Sequence, residues 1–233
     1  MILAIETATS CGSVSLSKGY GQRFHLLAEC SSQPGITHSR RLFGSIDWMM
    51  TSGRIGWDAL DAVAVSLGPG SFTGLRIGMA AAKSIAMAAD KPLIGVPTLD
   101  ALALNVTGSN RLVGCLLDAR KQQVYAGFYR DDASGLPRST SDPVAISPDK
   151  LLAELEEPVL LIGSGVGVYR DILLENELVK IIPGHLSTTR ASHVGQLAGE
   201  MLAEGRTLDP ATAVPVYVRA SEAEVNLKQK KAS

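Results

Sequence analysis

The sequence predicts an α/β fold of two lobes, and three observations predict it. Apolar strand patterns alternate with amphipathic helix patterns along the chain. Two successive blocks, residues 1–106 and 107–214, show one order of elements: three strands, helix, strand, helix. At 233 residues, with 45% hydrophobic but only 5% aromatic side chains, the chain can bury an aliphatic core under closely packed helices. No sequence repeat accompanies the repeated order, so the duplication is one of structure.

In the first block, Ile2 to Glu6 reads as a buried strand and Thr7 to Gly12 as a polar turn. Ser13 to Ser17 alternates as a second strand, Gly19-Tyr-Gly21 turns, and Arg23 to Cys30 forms a third. His38 to Met50 carries Leu42, Phe43, Ile46 and Met49/Met50 at helical spacing and ends near Gly53. A strand from Asp61 to Leu67 breaks at Gly68-Pro69-Gly70, and Ser71 caps the helix that follows. Leu93 to Val96 is extended, and Thr98 caps a helix through Val106. The order then restarts with strands at Leu112 to Leu117, Gln123 to Tyr129 and Pro143 to Ile146. Ser147-Pro148 opens a helix to about Glu156, with proline at its first position. Val159 to Ile162 is a strand, Gly163 to Gly167 a turn, Tyr169 to Glu177 a helix, and Leu178 to Ile182 extended. A last helix runs from Ala191 to about Gly205, and Pro215 to Arg219 is a short extended tail that can return to the first lobe, leaving 215–233 outside the second. A meander continued by helix–strand crossovers gives a mixed sheet covered by helices. Doubling that RNase H-like unit gives the architecture of the actin, Hsp70 and sugar-kinase group.

The helix after Ser71 has one peculiar face. Gly74, Gly78, Ala82 and Ala86 recur every four residues, so this face carries almost no side chain. Two interior glycines together cost about 2 kcal/mol relative to alanine, unless close backbone packing offsets the loss. Something large and flat therefore lies against it, either the chain's own sheet or another protein.

A formal net charge of −1 and a pI near 6.4 give no general basic field for nucleic acid. The one basic run is Lys228, Lys230 and Lys231 in the tail. Cys11, Cys30 and Cys115 are scattered and odd in number, which argues against a disulfide framework or zinc knuckle and fits a reducing cytoplasm. The N-terminus does not read as a signal peptide, and no apolar run reaches the ~20 residues a bilayer needs, so no membrane association is expected.

Motifs that carry chemistry are sparse. In the two-lobed architecture the first turn of each lobe meets nucleotide phosphates. Here the first is Glu6-Thr-Ala-Thr-Ser-Cys-Gly12, rich in hydroxyls and backbone donors, and Gly68-Pro-Gly-Ser71 opens a helix whose free N–H groups favour anions. Glu6, Thr7, Ser10, Gly68 and Gly70 are thus the candidate phosphate contacts, with Glu6 and Asp118 placed where a Mg²⁺ carboxylate could sit. The second turn, Asp118-Ala-Arg-Lys-Gln-Gln123, is not glycine-rich, which opposes a phosphotransferase. There is no Walker A loop or G-x-S-x-G elbow, and Gly163-Ser-Gly-Val-Gly167 has Val168 where a dinucleotide loop needs glycine. His25, His38, His185 and His193 form no HxxxH pair, so neither a catalytic set nor a metal site is expected.

A family resemblance runs over nearly the whole chain. Ile2-Leu-Ala-Ile-Glu-Thr7, Gly68-Pro-Gly-Ser-Phe-Thr-Gly-Leu-Arg-Ile-Gly78, Ala82-Lys83, Pro92-Leu-Ile-Gly-Val96, Asp118-Ala-Arg120 with Val124-Tyr125, and Pro215-Val-Tyr-Val-Arg219 with Ala223-Glu224 resemble the TsaB (YeaZ) family. Glu6 stands where that family's usual residue is aspartate. The catalytic paralogue, TsaD, carries an HxEGH metal motif after its Pro-Leu-x-x-Val strand. Its histidines fall on Thr98 and Leu102 and its acid on Asp100, and leucine cannot ligate a metal. The resemblance therefore implies a non-catalytic scaffold or activator with an actin-like fold. It implies a heterodimer with TsaD, cooperation with the ATPase TsaE, and use of the threonylcarbamoyl adenylate that TsaC supplies. The group goes to N6 of the tRNA adenosine beside the anticodon, and tRNA is met only through the complex. An independent actin-fold enzyme, a metallopeptidase or small phosphotransferase, is the alternative. Self-association of the lone chain, and ATP or ADP at the partner interface, stay open. In this family the first-lobe helices contact the partner. That implies one exposed patch of His38, Leu42, Ile46 and Met49 with Ser71, Gly74, Leu75, Gly78 and Ala82.

Overall fold

The computed structural model describes residues 1–32 and 38–218, and the side chains of all of these except 38–41. The His38 side chain, the basic tail and the tail residues Arg219, Ala223 and Glu224 therefore lie outside the described residues.

The first sheet contains β1 (Ile2–Glu6), β2 (Gly12–Lys18), β3 (His25–Ser32), β4 (Ala62–Gly68) and β5 (Leu93–Pro97), in the order β3-β2-β1-β4-β5. The first three form an antiparallel meander, and β4 and β5 run parallel to β1. Successive side chains on a strand face opposite ways, and that period of two sorts this core. Leu3, Ile5, Val63 and Val65 face α1 (His38–Ser52) and α2 (Phe72–Ala88). Ile2, Ala4, Ala62 and Ala64 face α3 (Thr98–Ala103) and a helix from the far end of the chain, Ala191–Ala203. With both faces covered, all of β1 is buried and reads as a continuous apolar run as far as Ile5.

The second sheet repeats the plan with β6 (Leu112–Arg120), β7 (Gln123–Asp131), β8 (Pro137–Ser139), β9 (Val144–Ile146), β10 (Val159–Ile162) and β11 (Val179–Ile181). Its order is β11-β10-β6-β7-β8, with β9 also on β7. Helices α4 (Pro148–Ala153), α5 (Ser164–Val168) and α6 (Arg170–Leu173) cover one face, around Leu116, Leu161 and Val179. On the other face, Leu99 and Leu102 of α3 pack against Val113, Cys115, Leu117 and Tyr129. Ala101 of α3 belongs to the first sheet's core, so α3 is the wedge that joins the two sheets.

Several expectations change. The helix Ala191–Ala203, here α7, was placed in the second lobe with residues 107–214, but it packs on the first sheet. Small residues on both sides permit this: a Cβ at Gly195 would lie 2.7 Å from the Ser17 hydroxyl, and the Ser13 hydroxyl accepts the Ala191 N–H. Thr98 does not cap α3; Pro97 occupies that position, and the Thr98 hydroxyl accepts the Gly68 N–H at 3.1 Å. Ser147 makes no side-chain cap, although Pro148 does open α4. The Gly163–Gly167 turn is mostly helix α5, and β8 is too short to show an alternation. Ser71 does cap α2, accepting the Gly74 N–H at 3.3 Å. Among the described residues no helix is long and apolar enough to cross a membrane.

Candidate functional site

Strand β1 ends at the turn expected to meet phosphates. Glu6 is completely buried; one carboxylate oxygen accepts the Ala8 N–H at 2.6 Å and the other accepts the Ser66 hydroxyl. Burial without water raises its carboxyl from the ordinary 4.5 to about 7, and hydrogen bonds from Ser66, Ala8, Thr189 and Thr9 only partly oppose the rise. Beyond it the turn is filled from within. The Thr7 hydroxyl donates to the Gly74 carbonyl at 2.8 Å, and the Ser71 N–H donates to the Ala8 carbonyl at 2.6 Å. A Cβ at Gly70 would collide with that same carbonyl. Glu6, Thr7, Gly68 and Gly70 are thus brought together but packed on one another, while Ser10 stands exposed beside them. The cavity beside Thr7 holds about 20 Å³, room for a water. In the second lobe, Arg120, Lys121 and Gln122 close the β6–β7 hairpin in the left-handed region, a tight turn in place of a glycine cradle.

The expected exposed patch is corrected by burial. Leu42, Ile46, Met49, Leu75 and Ala82 are all core residues of the first lobe. A Cβ at Gly74 would fall inside 3.0 Å of the Thr7 carbonyl oxygen, and one at Gly78 inside 3.0 Å of the Thr7 hydroxyl. The small stripe therefore seats α2 on the chain's own β1 end, and the two glycines are what allow that approach. Of the residues assigned to the patch, Ser71 is exposed, and it is the helix cap.

The opposite side of the same helical layer is the exposed one. Phe43 (52% exposed) and Trp48 (61%) stand on the outside of α1, and Phe72 and Met87 (64%) on the outside of α2, with Thr73, Ala80 and Ser84 among them. Large apolar side chains thus stand on the outward side of both helices. Phe43, which the helical spacing groups with the apolar face of Leu42, Ile46 and Met49, lies at the flank of that face and is half exposed.

The chain after α7 borders this surface. The Leu208 N–H donates to the Leu93 carbonyl at the β5 edge, and Lys83 of α2 donates to the carbonyls of Ala211 (3.3 Å) and Ala213 (3.0 Å). The Val216 N–H donates to the Leu67 carbonyl at 2.8 Å, and the Tyr217 ring lies 5.2 Å from that of Phe72. This strap, residues 208–218, lies along α2 of the first lobe.

The positions corresponding to the metal motif are structural. Leu102 is sealed in the core between the sheets, Thr98 holds the Gly68 loop, and Asp100 accepts the Tyr129 hydroxyl at 2.8 Å. Burial raises the Asp100 carboxyl above the usual range. Among the described residues no group of three His, Cys, Asp or Glu side chains could hold a metal ion. A cavity of about 520 Å³ lies elsewhere, between Tyr20, Leu136 and Arg138 and the C-terminal end of α7.

Residues 33–227 match the family model described as TsaD, tRNA N6-adenosine threonylcarbamoyltransferase. The chain is 30% identical over 224 residues to the tRNA threonylcarbamoyladenosine biosynthesis protein TsaB of Escherichia coli, covering 94% of each chain. The chain belongs to the TsaB family. It is 28% identical to the Bacillus subtilis TsaB over 228 residues, covering 96% of each. The solved structure of YeaZ from Pseudomonas aeruginosa superposes with a TM-score of 0.78 at 25% identity, covering 93% of this chain and 98% of that one. The two-lobed fold read from the sequence is the fold of this family.

Proposed function

We propose that this chain is the non-catalytic partner subunit for making threonylcarbamoyladenosine in tRNA, docking a TsaD-type paralogue on the outer face of α1 and α2. TsaB family membership supports the pathway. The observation that carries the subunit's role is that both positions where the resemblance puts TsaD's metal histidines are fully buried and engaged, Leu102 in the core between the two sheets and Thr98 on the Gly68 N–H. Side chains buried and engaged in this way are not available to a metal ion. In this reading TsaD transfers the threonylcarbamoyl group to N6 of the adenosine beside the anticodon. TsaE cooperates, the TsaC-derived adenylate is the donor, and the work is done in the cytoplasm. Phe43, Trp48, Phe72 and Met87 supply the apolar docking area that the small stripe does not.

The test mixes the chain with its TsaD paralogue and follows association together with tRNA modification. The wild-type pair should associate and modify tRNA, and Trp48→Glu should prevent both while melting as the wild type does. Transfer or peptidase activity by the isolated chain, or one tightly bound iron or zinc per chain, would overturn the proposal.

A further inference from the structure

The strap meets α2 at a small cluster of Phe72, Arg76 and Tyr217. The Arg76 guanidinium carbon lies 3.8 Å from the centre of the Phe72 ring, and Arg76 Nε donates to the Tyr217 hydroxyl at 3.2 Å. We propose that Phe72, Arg76 and Tyr217 form a docking anchor in which Arg76 receives a carboxylate of the TsaD-type paralogue. The proposal rests on the reading that the outer face of α1 and α2 is the docking surface.

Main-chain bonds at Leu208 and Val216 and the two Lys83 contacts fix the strap at both ends, so the position of Tyr217 is set in advance. Yet the strap buries little of itself: Val214 is 69% and Val216 54% exposed. A segment fastened through its backbone that holds apolar side chains out in water adds contact area rather than core. The charges point the same way. Lys83 is engaged by carbonyls, whereas the Arg76 Nη1 and Nη2 groups make no hydrogen bond or ion pair with the described residues. Stacking and the Nε bond hold the guanidinium in one orientation, and a fork so held matches a carboxylate through two parallel N–H donors.

Helical geometry places the cluster at the border of the docking surface. At about 100° per residue, Phe72, Arg76 and Lys83 fall on one flank of α2, next to the exposed row of Thr73, Ala80, Ser84 and Met87. An exposed arginine stacked on one aromatic ring and bonded to the hydroxyl of another is also the side-chain composition that concentrates binding energy at interfaces. A lone arginine on a chain of net charge −1 suits a carboxylate from a protein better than an RNA backbone, which is gripped by several cations at once.

The experiment titrates the full chain with the TsaD-type paralogue by calorimetry at two salt concentrations, for wild type, Arg76→Ala, Arg76→Lys, Tyr217→Ala and Tyr217→Phe. Melting curves and binding to tRNA alone are measured beside it. Arg76→Ala and Tyr217→Ala should weaken partner binding by about 10- to 100-fold. Arg76→Lys should lose most of that affinity, because it keeps the charge but not the fork. Tyr217→Phe should lose less than Tyr217→Ala. Should Tyr217→Ala melt early, Arg76→Lys decides, since it leaves the strap's fastenings in place. A wild-type pair that binds, with every variant binding equally, overturns the anchor and leaves the docking surface standing. A wild type that does not bind overturns the docking surface and the anchor with it. Loss of tRNA binding in place of partner binding makes a phosphate the occupant and also overturns the anchor.

Discussion

Replacing Gly74 with alanine tests how α2 is seated. The new Cβ would fall inside 3.0 Å of the Thr7 carbonyl oxygen, which belongs to the backbone and cannot rotate away. Either α2 lifts from the sheet or the turn after β1 shifts. Overfilling of this kind costs about 1–3 kcal/mol. The buried hydrogen bond from the Thr7 hydroxyl to the Gly74 carbonyl is strained in the same movement, a further loss of about 1–3 kcal/mol. The gain in helix propensity returns about 1 kcal/mol. The net destabilisation is about 1–5 kcal/mol, which for a chain of this length lowers the melting temperature by about 2–20 °C. Ala80→Arg is the matched surface change, since Ala80 is exposed six residues further along the same helix. It should stay within about 0.5 kcal/mol of wild type, yet lose the paralogue. Thermal melting by circular dichroism beside a pull-down reads both. If Gly74→Ala melts with the wild type while losing the paralogue, the seating of α2 described here is refuted and the small stripe is the interface.

Glu6 makes stability depend on pH. Its folded-state value near 7 lies above the ordinary 4.5, so between these values the folded chain holds a proton that the unfolded chain has released. Stability is therefore full below about pH 4.5 and falls as pH rises through 7, by about 3 kcal/mol in all. His193 slopes the other way. Burial holds its imidazole down near 4, so the stability it contributes is present above 6.5 and is lost as pH falls through 4. The difference between wild type and Glu6→Gln isolates the carboxyl: the variant should gain relative stability from pH 5 to pH 8, and a constant difference would show that Glu6 does not titrate there. For the strap, Lys83→Ala should speed amide exchange at Val216, whose N–H bonds Leu67, with little change in global melting. Unchanged protection at Val216 would mean that Lys83 is not a fastening.

The chain's local grammar is strong, and most elements could be read from it. β1 is an apolar run from Ile2 to Ile5 that ends in Glu6, and α1 carries its apolar residues three and four apart. Ser71 caps α2 and Pro148 opens α4 because hydroxyl acceptors and a missing N–H act within one helical turn. Elements too short to show a period were the ones missed, β8 and the helical turn at Ser164. The candidate site was only half legible. Glu6, Thr7, Gly68 and Gly70 do converge, but the hydrogen bonds of Glu6, Thr7 and Gly68 go to Ser66, Ala8, Gly74 and Thr98, and Gly70 is pressed against the Ala8 carbonyl.

The sequence by itself determined the order of strands and helices, the family, and the chemical nature of Thr98 and Leu102 at the metal-motif positions. It also determined that the Gly74–Ala86 stripe must lie against something flat, because missing side chains are visible in any reading of the chain. Which surface it meets was decided only in three dimensions. A stripe without side chains fits a sheet and a foreign helix equally well, and the choice depends on Thr7, which the chain brings there through β1. Likewise α7 lies on the first sheet because the small outward residues of β1, β2 and β4 match its own Ala191, Gly195 and Ala198, although the sequence separates them by more than a hundred residues. Complementarity between distant surfaces belongs to the pair, and neither segment carries it alone.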